Sequence, residues 1–357
     1  MKFLAYFLPQ FYPTPENDIH WGKGFTDWKN VQSSTSLFKN HKQPLIPSKF
    51  DMYDLSKKTV LKELSDFSLK KGLDGFGYWH YWFGNDKQTL EKVQEMHLND
   101  SSIKQNFFFA WANQDWTKSW VGDDKTTIFK QLYSKKSALN HFKYILPFVR
   151  DPRYIQKKGR PLFQVINPSS DGVKLHIKIL EKEALSTIGT GFHWLFPYNR
   201  NIEGLEDLSH SRVGYSPGDV TINDMSFRIK RKLQNFNIIN SPIIIPEKKY
   251  LNAFEKTLKD SFKKEKSYFP CILSGWDNTP RYKNKGFLID AEIPSLLEKQ
   301  FKILINLLKN KEKPEFVFIK SWNEWAEGNV LEPYKLNDKE FLPSDLIIDF
   351  KNNHKNI

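Results

Sequence analysis

The sequence predicts a (β/α)8 barrel, a single α/β domain over residues 1–357 with elaborated strand-to-helix loops. Three observations carry this. Short β-branched or aromatic runs alternate with amphipathic helical stretches about eight times along the chain. The first run ends in Pro9-Gln10-Phe11-Tyr12, where a doubly wound nucleotide-binding fold would carry a glycine-rich phosphate loop. Of the eleven tryptophans, Trp79, Trp82, Trp111, Trp116, Trp120, Trp276, Trp322 and Trp325 stand at or just beyond expected strand ends, and Trp21 and Trp28 follow the first strand. All strand ends of a barrel open on one mouth, so this placement predicts a ring of indoles around an active-site opening.

In chain order, Phe3 to Leu8 reads as the first strand, stopped by Pro9. A polar and aromatic loop follows through Asn17-Asp18 to Trp28, of a length common among functional loops. Asp54 to Lys71 is an amphipathic helix carrying Leu55, Val60, Leu61, Leu64, Phe67 and Leu69 on or near one face. Gly72-Leu73-Asp74-Gly75 turns the chain into a second strand, Phe76 to Trp79, which runs out into His80-Tyr81-Trp82-Phe83. A helix around Gln88 to Leu98 precedes the third strand, Phe107 to Trp111, which ends in Ala112-Asn113-Gln114-Asp115-Trp116. Helix Ser137 to Phe148 precedes the fourth strand, Pro161 to Ile166; helix Val173 to Ala184 precedes the fifth, Phe192 to Phe196. The pattern weakens from Asn199 to Lys266, where Ser211 to Ser216 is the expected sixth strand and Met225 to Gln234 a basic helix. Cys271 to Asn278 is the seventh strand, and helix Ile293 to Leu308 leads to the eighth, Phe316 to Lys320.

Directly after that last strand comes Ser321-Trp322-Asn323-Glu324-Trp325-Ala326-Glu327-Gly328. Two neighbouring carboxyl groups do not ionise independently, so such a pair divides into an acid and a base. The flanking indoles lower the local dielectric and offer flat faces to sugar rings. Glu324 and Glu327 are therefore the candidate catalytic pair for glycosidic-bond chemistry. Tyr6 and Gln10 at the first strand's exit, with Trp21, Trp28, Trp79, His80, Tyr81, Trp82, Trp111, Trp116, Tyr215, Trp276, Trp322 and Trp325, are the expected substrate-binding residues. Asn113 and Asn323 join them, because an amide both donates to and accepts from adjacent hydroxyls. Asp27, Asp115 and Asp277 read as cap or turn residues.

No metal site or cofactor is expected: no histidine pair has ligand spacing, and Asp123-Asp124 reads as a solvated turn. The single cysteine, Cys271, excludes an intrachain disulfide and a cysteine-based zinc site. A net charge of +13 spread along the chain favours anionic partners, such as an acidic polysaccharide, a phosphorylated lipid carrier or a membrane surface. No nucleic-acid module is recognisable. Arg228-Ile229-Lys230-Arg231-Lys232 is a candidate face for an anionic membrane or a polyprenyl-phosphate carrier. The apolar N-terminal stretch stops at Pro9-Gln10 without a small-residue cleavage site, and no run has the length to span a bilayer. A cytoplasmic protein, peripheral at the inner membrane surface, is the expectation.

Phe7-Leu8-Pro9-Gln10-Phe11-Tyr12-Pro13, Trp21 to Trp28, Gly75-Phe76 with Tyr78 to Phe83, Trp111-Ala112-Asn113 with Trp116, and Ser321 to Gly328 with Leu331-Glu332-Pro333 together resemble the WbsX family of glycosyltransferases. That family is related to glycoside hydrolase family 99, retaining endo-acting α-mannosidases and α-mannanases on a (β/α)8 barrel. The resemblance implies no metal or organic cofactor. It makes Glu324 the base on the substrate 2-hydroxyl and Glu327 the general acid/base at the glycosidic oxygen, through a 1,2-anhydro sugar. Ala326 departs from the histidine that the hydrolases often carry there, and Asn199 to Lys266 matches weakly. The expected function is a retaining endo-glycoside hydrolase or transglycosylase acting on a bacterial surface glycan. The alternative is a transferase of O-antigen or capsular polysaccharide assembly. The chain has no Asp-x-Asp triplet and no nucleotide-phosphate loop, which leaves metal-independent transfer. A non-catalytic carbohydrate-binding protein is the third reading.

Overall fold

In the computed structural model, residues 1–84, 87–118, 123–221, 224–309 and 311–353 are described. Trp120 lies outside them. The apolar runs become parallel strands buried on both faces, as strands between a barrel interior and a helical layer must be. They are β1 (Lys2–Phe7), β2 (Gly75–Gly84), β3 (Phe107–Trp111), β4 (Arg160–Val165), β5 (His193–Pro197), β6 (His210–Val213), β7 (Tyr268–Phe269 with Cys271–Leu273) and β8 (Phe316–Lys320). They pair in chain order, and β8 pairs back onto β1 from Lys2↔Phe316 to Ala5↔Ile319.

Closure falls at β7, which Pro270 divides because proline has no N–H for the ladder. Tyr268–Phe269 pairs with β6, and Cys271–Leu273 with β8. The Pro270 carbonyl still accepts from the Phe318 N–H at 2.8 Å, so the two halves act as one barrel strand. The seventh strand thus starts earlier than the sequence suggested and stops at Leu273. Beyond it the chain turns to support the carboxylate loop: the Asp277 N–H donates to the Glu327 carbonyl at 2.7 Å. Gly275 permits this approach, since a Cβ there would lie 2.5 Å from the Gly328 carbonyl oxygen.

Around the barrel lie α1 (Lys58–Lys70), α2 (Lys92–Asn99), α3 (Lys135–Val149), α4 (Asp171–Ile188), α5 (Met225–Asn235), α6 (Glu247–Lys264), α7 (Ile293–Leu308) and α8 (Asp345–Asn353). The expected regular alternation fails in one place. No helix joins β5 to β6, while α5 and α6 both fall between β6 and β7. Helix α6 escaped the sequence reading because its buried stripe, Tyr250, Phe254 and Leu258, is diluted by lysines. The loop after β1 also holds two short helices, Pro15–Trp21 and Trp28–Gln32; Thr14 caps the first by accepting from the Asn17 N–H at 3.1 Å. Among the described residues no helix is long and apolar enough to cross a membrane.

Candidate active site

Past Lys320 the chain leaves β8 in a tight hairpin. Asn323–Glu324 pairs antiparallel with Asn329–Val330 around a 3-10 turn, Trp325–Glu327, closed by Gly328 at φ 58°. A side chain at that backbone conformation is strained, so glycine belongs there. Ser321 ties the hairpin, its hydroxyl donating to the Asn329 carbonyl at 2.6 Å and accepting from the Glu324 N–H at 3.0 Å. The Asn323 amide clamps it to the end of β1, accepting from the Leu8 N–H at 2.7 Å and donating to the Leu8 carbonyl at 3.0 Å. Trp325 donates its indole N–H to Glu332 at 2.7 Å, and Tyr53 donates to the same carboxyl at 3.0 Å. With its neighbours so tied down, the hairpin presents Glu324 and Glu327 to a cavity of about 160 Å³ at the C-terminal ends of the strands. Trp79, Tyr81, Trp116 and Tyr215 supply aromatic walls there. A wider cavity of about 470 Å³ adjoins it and shares Tyr81, Gln114, Trp116, Arg281 and Glu327.

Two cations complete the constellation. Lys320 Nζ stands 3.8 Å from Glu324 Oε2 and 3.6 Å from Glu327 Oε2. Arg281 donates Nη1 to Glu327 Oε1 at 2.5 Å and Nη2 to Asp27 Oδ2 at 2.7 Å. Trp79 donates its indole N–H to Glu324 Oε1 at 2.5 Å. Burial raises the Glu324 carboxyl to about 8, with the Glu327 charge adding to it and Lys320 opposing. Burial raises Glu327 as well, but Lys320 and Arg281 outweigh it and hold that carboxyl at about 2. Burial alone would discharge Lys320; the two carboxyls instead keep it above the ordinary lysine range. Its ammonium is also seated 4.8 Å from the Trp276 ring centroid and 5.2 Å from that of Tyr215. At neutral pH the pair therefore carries one proton, on Glu324, and one charge, on Glu327.

Strand alternation decides which of the other expected residues reach this cavity. On β2, Trp79 and Tyr81 line it, while His80 and Trp82 point into the helical layer. There His80 Nε2 meets His141 Nε2 at 2.9 Å and His141 Nδ1 meets His176 Nε2 at 3.0 Å. Burial keeps this chain neutral, lowering His80 and His176 to about 3 and His141 also well below its usual value. Trp82 stacks on His141 at 4.8 Å, and Trp111 donates its indole N–H to the Trp82 carbonyl at 2.9 Å. Tyr6 lies beneath Trp79, their rings stacked 4.8 Å apart and nearly parallel at 8°, and donates to Gln164 at 2.8 Å. Gln10 is fully buried, its amide atoms without a hydrogen-bond partner among the described residues. Trp21 sits against Trp116 at 5.7 Å. Trp28 and Trp325 pack together at 5.6 Å below the hairpin, and Trp322 packs on Phe76 at 5.6 Å.

The two asparagines are clamps in this structure. Asn113 accepts from the Asn167 N–H and donates to the Asn167 carbonyl, both at 2.8 Å, joining the exits of β3 and β4 much as Asn323 joins β8 to β1. Asp115 accepts from the Gln131 N–H at 2.7 Å, and Asp277 accepts from the Thr279 N–H at 3.0 Å and meets His41 at 2.8 Å. Asp27 exceeds the cap role expected of it by pairing with Arg281. Sequence reasoning passed over Lys320 and Arg281. Lys320 had a signal, a lysine ending an otherwise apolar strand four residues before a glutamate. Arg281 had none, being 46 residues from Glu327 in the chain.

Residues 3–344 match the family described as Glycosyltransferase WbsX. The chain belongs to the WbsX glycosyltransferase family. It is 28% identical over 344 residues to the uncharacterized protein WxcX of Xanthomonas campestris pv. campestris, covering 92% of this chain and 47% of that protein. WxcX from a second strain is also 28% identical, over 342 residues. The chain thus spans about half the length of the curated relatives it matches. Among solved structures, the GH99 endo-alpha-mannosidase of Bacteroides thetaiotaomicron aligns with a TM-score of 0.57 at 11% identity, over 99% of this chain and 98% of that one. A glycoside hydrolase-like protein aligns with a TM-score of 0.61 at 10% identity, over 98% and 93%. At such identities the likeness is one of fold, and the fold is the (β/α)8 barrel.

Proposed function

We propose that this WbsX-family chain cleaves or transfers glycosidic bonds within a surface glycan with retention, as an endo-acting hydrolase or transglycosylase in which Glu324 and Glu327 do the chemistry. The observation that supports this reading best is the placement of two carboxyls around one lysine ammonium in a small aromatic-walled cavity at the C-terminal mouth of the barrel. Following the family 99 resemblance, Glu324 takes the proton of the sugar's 2-hydroxyl as that oxygen attacks C1. The C1–O bond to the leaving glycan breaks while Glu327 protonates the departing oxygen. In the second half Glu327 deprotonates water or an acceptor hydroxyl, which attacks C1 and opens the 1,2-anhydro ring, and Glu324 returns the proton to O2.

The first step needs the proton on Glu327, whereas the free site holds it on Glu324. The proton passes between the two carboxyls across the side that both present to Lys320. Lys320 is almost equidistant from both, so the charge left on Glu324 is met by the same ammonium that met it on Glu327.

Surface polysaccharides of the source organism, with products read by mass spectrometry and anomeric NMR, test the reaction. Glu324→Gln and Glu327→Gln are each expected to lose on the order of 10²–10⁴-fold in turnover with unchanged folding. On a glycoside with an activated leaving group only Glu327→Gln recovers, since protonation of the leaving oxygen is then dispensable. Near-normal turnover in both variants would make the pair structural, and recovery in Glu324→Gln alone would reverse the two roles. The family description favours a second reading, transfer from a nucleotide sugar without metal, for which micromolar binding of one such donor in calorimetry is the discriminating result.

A further inference from the structure

We infer that α5 and the turn after it form a docking surface for an anionic lipid bilayer. Helix α5 runs Met225–Asn235, starting at Asp224, whose carboxylate accepts from the Phe227 N–H at 3.2 Å. It ends in a Schellman motif: Asn237 has φ 56°, the Ile238 N–H donates to the Leu233 carbonyl at 2.9 Å, and the Asn237 N–H donates to the Gln234 carbonyl at 2.9 Å. Its inner face is held by Phe227 against Phe287 at 5.0 Å, by Arg231 donating to the Lys285 carbonyl at 2.5 Å, and by Gln234 donating to the Ser241 carbonyl at 2.8 Å.

The outer face is unlike an ordinary solvated helix. Met225, Ile229, Lys232 and Phe236 follow one another at steps of four, three and four residues, which places them on one stripe. Met225 is 71%, Ile229 54% and Phe236 66% exposed, and Ile238 in the following turn 69%. Arg228, Lys230 and Lys232 flank these apolar groups and form no ion pair among the described residues. Lys62, Lys259 and Lys302, on other helices, each pair with a carboxylate four residues away. Apolar side chains standing out among unmatched cations suit the boundary between acyl chains and anionic headgroups, where the former are buried and the latter neutralised. The chain's net charge of +13 favours the same partner at longer range.

The inner face of α5 is linked by contacts to the carboxyl pair. Phe287, on which Phe227 packs, lies 5.3 Å from the Trp276 ring, and Trp276 in turn seats Lys320.

Sedimentation of the whole chain with vesicles tests this, and it is read without turnover, so its outcome is separate from that of the reaction proposed above. Wild-type protein is expected to sediment with phosphatidylglycerol-containing vesicles, to stay with the supernatant over pure phosphatidylcholine, and to be released by high salt. Arg228→Gln, Lys230→Gln and Lys232→Gln together are expected to weaken the partition by about five-fold per cation, and Ile229→Ser with Phe236→Ser to weaken it as well. Both variants should keep the wild-type melting curve. Wild-type protein that ignores anionic vesicles, or variants that bind them as wild type does, would overturn the inference. So would a wild-type dimer that Ile229→Ser with Phe236→Ser splits, because the face would then belong to a second copy.

Discussion

The carboxylate hairpin and α5 treat charge in opposite ways. At the hairpin every charge is buried and answered: Lys320 faces both glutamates, Arg281 bridges Glu327 and Asp27, and the surplus negative charge is removed by a proton on Glu324. On α5 three cations stand in solvent with no carboxylate partner among the described residues, beside apolar side chains left exposed. Buried charge that balances internally fixes where a proton resides, which the proposed chemistry requires. Exposed charge left unbalanced beside apolar groups is organised for something outside the molecule.

The mutual dependence of the buried charges is greatest at Arg281. Arg281→Met leaves two buried carboxylates without their shared cation, a change expected to cost about 3–5 kcal/mol of stability in urea titration. Turnover should fall with it, since Glu327 loses the guanidinium that fixes its carboxyl at 2.5 Å. A variant with wild-type stability would mean that the buried charges are not mutually dependent.

A pH profile sharpens the same point. The singly protonated pair exists between about 2 and about 8, so kcat/KM should hold through neutrality. Above about 8 the remaining proton leaves, and activity should drop about ten-fold per pH unit. Lys320→Gln removes a charge that lowers both carboxyls, so the alkaline limb should move to higher pH. An alkaline limb that stays in place would detach Lys320 from the titration.

Glu332 makes a quieter test. Burial raises its carboxyl to about 8, so its folded form holds a proton that the unfolded chain releases at ordinary carboxylate pH. Its stabilisation is complete at acidic pH and is lost as the pH rises through about 8. Glu332→Gln keeps a polar group opposite Trp325 and Tyr53 without the charge. The melting temperature of the variant should therefore gain on wild type steadily from about pH 5 to about pH 8. The smallest effect belongs to α5, where Arg228→Gln should leave the melting temperature within about one degree of wild type.

Much of the barrel was legible because its signals are local. β3, α7 and β8 have the bounds read from the sequence, each being an apolar run or stripe closed by recognisable stops. The β6 to β7 excursion was not, since lysines dilute the stripe of α6 and the two-residue piece Tyr268–Phe269 is too short to show alternation. The carboxyl pair was legible for a similar reason, as two glutamates, two indoles and a glycine lie within eight consecutive residues.

By itself the sequence determined the fold class, the last strand and the two carboxyls, all of which depend on residues close together in the chain. Only the tertiary structure decided which aromatics face the cavity, because the strand ends hold tryptophans at both parities and the pleat sends Trp79 inward and Trp82 outward. It alone brought Arg281 and Asp27 to Glu327, across 46 residues and through a shared guanidinium that joins positions 254 residues apart. Proton placement followed from that meeting. A carboxyl's charge state depends on what lies within a few ångströms of it in space, and sequence distance does not carry that information.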